Sequence, residues 1–159
     1  KLRNLYFDNN ERFVHRKLGW NFRMTNIQAA VGLAQMERVD AFIKRKKQVR
    51  AFYNGALCEH LQVDSFPVLK DHNDPCWLSG VTLNGINVDD AIAKLGAGGV
   101  QARRFYKPIH LQKPYANSPT YLDQSAEAVW SKIITLPCSS NISEQQLHQV
   151  VDCLNEILL

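Results

Sequence analysis

Apolar residues recur at steps of three and four over residues 27–53, a spacing that places them on one face of a helix. They are Ile27, Val31, Ala34, Val39, Phe42, Ile43, Val49, Phe52 and Tyr53. No proline interrupts residues 25–57, so the pattern predicts one helix of about 30 residues, or about 45 Å. Because a small domain cannot hold a helix of that length alone, we expect it to connect a small domain with something larger.

Three polar residues are typical of helix starts. Thr25 and Ser143 are each followed three residues later by Gln, which is the spacing of a capping box. Asn87 is expected to cap a short helix that the glycines at 96–99 end. An amphipathic helix is predicted after Ser143.

Short apolar stretches between these helices predict strands over 77–83, 100–103 and 133–137, with a short helix over 126–131. Helices and strands thus alternate after the long helix. The order predicts an α+β fold, in which helices cover a small sheet, over residues 58–159. Residues 1–24 precede the long helix as a separate segment.

Composition is that of an ordinary globular protein, with 159 residues, 45% hydrophobic and 21% charged. No apolar run approaches the ~20 residues of a membrane-spanning helix, and the first residues lack the apolar segment of a secretion signal. We therefore expect a cytoplasmic protein with no membrane partner. Since the chain begins with Lys1 and not with Met, we expect a piece of a longer protein or a processed product.

The four cysteines are not spaced as metal ligands, so we predict reduced, mostly buried thiols and no metal site. They are Cys58, Cys76, Cys138 and Cys153. The net charge of +4 is concentrated in a basic run at residues 38–50. We interpret this run as the solvated face of a helix, because no interleaved aromatic residues or known motif indicate a nucleic-acid partner.

The segment 18–30 is the first candidate for chemistry. Asn21 and Arg23 alternate with three apolar residues, so an extended segment would place the two polar side chains on one side. They come directly before the predicted cap Thr25. Free amides at a helix start, the helix dipole and a guanidinium all favour an anion, which predicts a phosphate site. The alternative is a well-capped structural helix without a ligand.

The segment 99–115 is the second candidate, because cations, phenols and an imidazole follow one another there. Arg103 could bind a phosphate, while Tyr106 and His110 could bind sugar hydroxyls. This composition predicts a loop that binds an anionic or hydroxyl-rich ligand. The alternative is a surface loop with scattered polar groups.

Both segments also resemble a known family. Residues 19–32 match the pattern G-[YW]-N-[YF]-R-M-T-x-[IL]-Q-A-A-[IV]-G of the DegT/DnrJ/StrS sugar aminotransferases, which use pyridoxal phosphate. Residues 99–115 are similar to the family's G-[IV]-x-[TA]-R-x-x-[YF]-x-P-x-H element. Ala102 stands where threonine is usual, and Arg104 and Lys107 replace more neutral residues. The resemblance extends over nearly the whole chain.

The resemblance implies the aspartate-aminotransferase-like fold, pyridoxal-phosphate fold type I, in a homodimer with shared active sites. Residues 1–24 would end the large domain and contact the partner, 25–57 would be the inter-domain helix, and 58–159 the small C-terminal domain. The cofactor lysine would lie outside the chain, so none of its residues is expected to be catalytic.

The resemblance also assigns roles to the candidates. Asn21 would bind the phosphate of the partner subunit's cofactor, with Arg23 beside it, and Arg103, Tyr106 and His110 would line the substrate side. The reaction implied is transfer of an amino group from glutamate to a nucleotide-linked keto-sugar, for cell-surface polysaccharide or antibiotic synthesis. We expect the chain alone to be inactive.

Two alternatives remain open at this stage. One is a dehydratase of the same family, in which histidine replaces the cofactor lysine. The other is a non-catalytic regulatory or dimerisation module, which the long helix and the capped helix ends would serve equally well.

Overall fold

A computed structural model describes residues 15, 17–68, 73–119, 121 and 125–158 of the chain. These residues form five α-helices, four β-strands and two single-turn 3-10 helices at Ile109–Leu111 and Lys113–Tyr115. In chain order the main elements are α1 (Asn26–Met36), α2 (Val39–Leu57), β1 (Val63–Ser65), β2 (Ser79–Leu83), α3 (Val88–Ala97), β3 (Arg103–Arg104), α4 (Ser125–Trp130), β4 (Ile133–Leu136) and α5 (Glu144–Leu158). Residues 1–14 and 16 of the predicted segment 1–24 lie outside the described residues.

The single helix predicted over 25–57 is two helices in the structure. A turn at Glu37 and Arg38 separates α1 from α2, and the Arg38 amide donates to the Gln35 carbonyl at 3.1 Å. The apolar pattern contains the physical reason. Val39 follows Ala34 by five positions. At 100° per residue, this step rotates the apolar stripe by about 140° around the helix axis. The chain divides into two compact units, Lys1–Asp40 and Ala41–Leu159.

The strands form one antiparallel sheet in the order β1-β2-β4-β3. Val81 pairs with Ile134 across β2 and β4, while Arg103 of β3 pairs with Thr135 of β4. Strands β2 and β3 therefore run parallel to each other, with β4 between them and α3 in their connection. Sequence reasoning did not predict β1, which has only three residues.

The core of the second unit lies on the face of the sheet that carries alternate apolar residues of β2 and β4. Its strand residues include Val81, Leu83, Ile134 and Leu136, and helices α2, α3 and α5 contribute Val49, Tyr53, Ala91, Leu95, Leu147 and Leu154. The buried Tyr53 hydroxyl donates to the Pro137 carbonyl at 2.7 Å. Burial, with the nearby Cys138, raises the pKa of this phenol above its ordinary value.

The predicted helix caps are confirmed. The Thr25 hydroxyl accepts from the Gln28 amide, and the Gln28 side chain accepts from the Thr25 amide at 2.9 Å. Ser143 forms the same reciprocal pair at the start of α5, and Asn87 accepts from the first amides of α3. All four cysteines are free thiols, but the prediction that most are buried is wrong, because only Cys76 is buried and Cys58 is exposed. Within the described residues no helix is both long and apolar enough to cross a lipid bilayer.

Gly80 of β2 allows the closest approach of two strands. A Cβ atom at this position would lie 2.0 Å from the Ile134 carbonyl oxygen. We expect Gly80→Ala to force β2 and β4 apart and to lower the free energy of unfolding by about 2 kcal/mol or more. Urea unfolding of the purified chain measures this change.

Gly55 of α2 provides the matched control, because a Cβ atom there would meet no atom within 4 Å. Gly55→Ala is expected to leave stability unchanged or to raise it by up to about 1 kcal/mol, since alanine favours helix. Equal stability of the two variants would contradict the tight strand packing.

Candidate functional site

The first candidate segment is exposed over residues 20–24. Trp20 and Phe22 stack on each other, with ring centroids 6.0 Å apart and planes 9° apart. Asn21 forms an isolated β-bridge, and both Asn21 and Arg23 are exposed. Because side chains alternate along an extended backbone, the amide and the guanidinium lie on the side opposite the two rings.

The start of α1, directly after this segment, offers few backbone donors of its own. Four amides at a helix start lack intrahelical partners, and the capping box satisfies those of Thr25 and Gln28. The amides of Asn26 and Ile27 are the other two. An anion at this point would therefore meet two backbone amides together with side-chain donors. The amide of Asn21 and the guanidinium of Arg23 fit a phosphate group chemically.

The second candidate segment begins at the edge strand β3, whose two arginines point to opposite faces of the sheet. Arg104 donates to the Asp89 carboxylate at 2.8 Å and lies over the Trp130 ring, 5.2 Å from its centroid. The hydrogen bond to Arg104 lowers the pKa of Asp89 below its ordinary value. Arg104 thus binds α3 and α4, which leaves the exposed Arg103 as the arginine on the opposite face.

Tyr106 belongs to an aromatic cluster that sequence reasoning missed in part. Its ring is 63% exposed, meets Phe105 edge-on at 5.2 Å, and stacks on Trp77 at 6.3 Å with planes 26° apart. Phe105 in turn contacts Phe66 edge-on at 5.5 Å. The sequence pattern predicts a strand at Trp77, whereas the structure places this residue in the loop before β2.

His110 lies in the first 3-10 turn, where its Nε2 atom is 2.7 Å from the Glu127 carboxylate of α4. This contact fixes the orientation of the half-buried ring and leaves Nδ1 as the other ring nitrogen. No hydrogen bond, ion pair or ring contact among the described residues joins His110 or Arg103 to Tyr106. The structure therefore places the three predicted substrate residues on one strand-and-loop segment without bringing them into mutual contact.

The basic run of α2 is not simply a solvated face, which corrects the sequence interpretation. Arg50 is only 7% exposed, forms an ion pair with Asp74 and donates to the Leu78 carbonyl. Lys46 donates to the Trp77 carbonyl at 3.1 Å, and Lys47 to the Asn73 side chain at 2.7 Å. These cations hold the loop 73–78, which carries Trp77.

A cleft of about 450 Å³ lies elsewhere, between residues 99–101 and the start of α5. Its polar lining consists mainly of side-chain amides and one hydroxyl, from Gln101, Ser139, Asn141, Gln146 and Gln149. None of the predicted site residues lines it. Among the described residues, no three His, Cys, Asp or Glu side chains are grouped as a metal site requires.

The DegT/DnrJ/EryC1/StrS aminotransferase family matches residues 1–155 of the chain. The chain belongs to this family. It is 33% identical to the GDP-perosamine synthase of Caulobacter vibrioides, over 99% of this chain and 44% of that protein. It is 29% identical to the putative pyridoxal phosphate-dependent aminotransferase EpsN of Bacillus subtilis, over 89% of this chain and 38% of that protein.

Solved structures share the fold. The aminotransferase TlmJ of Streptoalloteichus hindustanus superimposes with a TM-score of 0.86 at 20% identity, over 99% of this chain and 43% of that one. The Helicobacter pylori aminotransferase PseC gives a TM-score of 0.84 at 21% identity, over 99% of this chain and 44% of that one. The mixed helix-and-sheet fold expected from the resemblance is thus confirmed. The chain spans less than half the length of these relatives.

Membership of this aminotransferase family confirms the resemblance that the two motifs indicated. The roles of the individual residues stay predictions. The sequence motifs indicate Asn21, Arg23, Arg103, Tyr106 and His110 as candidates, but they do not predict the contacts of Tyr106 with Trp77 or of His110 with Glu127. No local signal in the sequence links Glu127 to a histidine 17 residues earlier.

Asp74 makes the loop 73–78 sensitive to acid. Partial burial would raise its pKa, but hydrogen bonds from the Cys76 amide at 2.8 Å and from Arg50, with the charges of Arg50 and Lys47, lower it below the ordinary value. The ionised carboxylate therefore stabilises the fold above the unfolded-state pKa of about 3.9, and this contribution is lost as pH falls through the lower folded-state pKa.

We expect Asp74→Asn to lower the free energy of unfolding at neutral pH and to flatten its fall below pH ~4. Urea unfolding at a series of pH values measures both effects. Asp152→Asn removes the same charge from the exposed side of α5 and is the control. Parallel pH profiles for wild type and Asp74→Asn would show that the ion pair does not stabilise the loop.

Proposed function

We propose that the chain is the C-terminal part of a pyridoxal phosphate-dependent sugar aminotransferase. It would act on a nucleotide-linked keto-sugar with glutamate as the amino donor, in the cytoplasm. The observation that carries this proposal is the exposed pair Asn21 and Arg23 directly before the capped start of α1, in a chain of this family. Relatives named as GDP-perosamine synthases support a sugar nucleotide as the substrate.

The fold proposal follows from the two compact units and the length of the relatives. Residues 58–159, which lie within the compact unit 41–159, would form the small domain of the aspartate-aminotransferase-like fold. Helices α1 and α2 together would take the place of the single connecting helix. The rest of the protein would supply the large domain and the lysine that attaches the cofactor, so we infer that the chain alone does not catalyse the transfer.

The cofactor would be held at its phosphate by this chain. Pyridoxal 5′-phosphate supplies an electron sink for amino-group transfer when it is bound. The Asn21 amide would donate to the phosphate and Arg23 would neutralise its charge. Lys46 and Lys47 are not assigned to the cofactor in this proposal, because their side chains hold the loop 73–78.

The substrate would be bound by the segment that begins at β3. Arg103 has a guanidinium suited to a phosphate of the nucleotide, and Tyr106 offers a ring face and a hydroxyl. His110 would orient a sugar hydroxyl, because Glu127 fixes the direction of its ring at 2.7 Å. These residues bind and orient the substrate but perform no proton transfer in this proposal.

The homodimer with shared sites is supported by the exposed apolar surface of α1. No residue of this helix is buried. Its apolar side chains are therefore exposed, and four of them are each at least 60% exposed: Ile27, Val31, Leu33 and Met36. Apolar residues in this concentration are typical of a surface that another polypeptide covers. A second subunit on this side would bring its cofactor phosphate to Asn21.

The proposal predicts that Asn21 controls cofactor affinity. In the full-length protein, Asn21→Ala removes a hydrogen bond to a charged phosphate, a loss of about 1.5–3 kcal/mol. We expect the Kd for pyridoxal 5′-phosphate to rise roughly 10- to 100-fold, measured by absorbance titration of the cofactor. The exposed Asn141 lies before α5, so Asn141→Ala should bind as wild type does. Unchanged affinity in Asn21→Ala would refute the phosphate assignment.

A further inference from the structure

The loop 73–78 contains a backbone conformation that needs support. Cys76 has φ of +56°, in the left-handed region that residues other than glycine rarely adopt, and its side chain is buried. The Asp74 carboxylate accepts from the Cys76 amide at 2.8 Å. Such strained positions persist where the surroundings hold them, and they concentrate at functional sites.

Helix α2 supplies the surroundings that hold this loop. The nearly buried Arg50 binds the Asp74 carboxylate on one side of Cys76 and the Leu78 carbonyl on the other. Lys46 donates to the carbonyl of Trp77 at 3.1 Å. The backbone is therefore fixed before, at and after Trp77.

This rigid loop presents an exposed aromatic side chain. The Trp77 residue is 66% exposed although its backbone is held, and it stacks on the 63% exposed Tyr106. Phe105 and Phe66 support Tyr106 in turn, with Arg50 over the Phe66 ring at 5.0 Å from its centroid. The rings of Trp77 and Tyr106 present apolar surface to solvent, and the backbone of the loop that carries Trp77 is held in place. Such a surface favours a ligand with a flat or apolar ring face.

We propose that Trp77 and Tyr106 form a stacking platform for a ring of the nucleotide-sugar substrate. The proposal rests on the proposed function and adds Trp77 as a binding residue that helps to set affinity for the sugar nucleotide. The chemistry required is the apolar face of a ring, which either the base or the hexose can supply. Arg103 and His110 belong to the same segment as Tyr106 and would bind the polar groups of that ligand.

The test uses the full-length protein loaded with pyridoxal 5′-phosphate, with GDP and GDP-mannose as probes in calorimetric titrations. We expect Trp77→Ala to raise the Kd for GDP-mannose at least tenfold, whereas Trp77→Phe, which keeps a ring, stays within threefold of wild type. Leu61→Ala removes a 99% exposed apolar side chain elsewhere and should bind as wild type does. A loss for both probes would assign the base to the platform, and a loss for GDP-mannose alone would assign the hexose.

Cofactor affinity in the same preparations separates this proposal from the proposed function. Wild-type affinity for both probes in Trp77→Ala, with cofactor binding intact, would overturn the platform and leave the aminotransferase proposal standing. Reduced stability in Trp77→Ala without weaker binding would overturn it too, because it would show that Trp77 only packs against the rest of the protein. A wild-type protein that binds neither cofactor nor probe would overturn both proposals.

Discussion

The buried guanidinium of Arg50 is the constraint on which the described surface of the second unit depends. A charge removed from water must be paired and hydrogen-bonded. Arg50 is paired with the Asp74 carboxylate and donates to the Leu78 carbonyl, while its buried Nε atom has no hydrogen-bond partner among the described residues. Its neighbour Val49 is fully buried in the core, so α2 is fixed on one side by packing and on the other by charge. The loop before β2 follows from this arrangement, and with it the position of Trp77.

The alternation of side chains across the sheet separates structure from candidate chemistry. Apolar residues of β2 and β4 such as Val81 and Ile134 face the helices and form the core. Adjacent arginines of β3 follow the same rule. Arg104 binds Asp89 at the start of α3, while Arg103 lies on the other face and stays exposed. The two adjacent arginines therefore differ in role: Arg104 stabilises the fold, whereas Arg103 is a candidate for binding substrate.

Local signals in the sequence were sufficient for the helix starts and for the family. The capping boxes at Thr25 and Ser143 depend on residues three apart, so the spacing alone predicted them. The absence of proline predicts one continuous helix, whereas the five-residue step from Ala34 to Val39 indicates the break between α1 and α2. That step was visible in the sequence and is the better guide.

Long-range contacts could not be predicted in the same way. The basic run of α2 has the pattern of a solvated face, and only the fold shows that Arg50 and Lys46 bind the loop before β2. The stacking of Trp77 on Tyr106 and the pairing of His110 with Glu127 depend on the antiparallel order of the strands and on short turns. No periodicity in the sequence encodes these contacts.

The central claim is that Asn21 completes a cofactor site on a second subunit. Mixing full-length Asn21→Ala subunits with subunits whose cofactor lysine is replaced tests it most directly, at a cofactor concentration below the Kd of the Asn21 variant. A mixed dimer would contain one site with both the lysine and Asn21. Random exchange should therefore restore roughly a quarter of wild-type activity, because half of the dimers are mixed and each has one intact site of two. Activity no higher than the sum of the two separate variants would contradict the account.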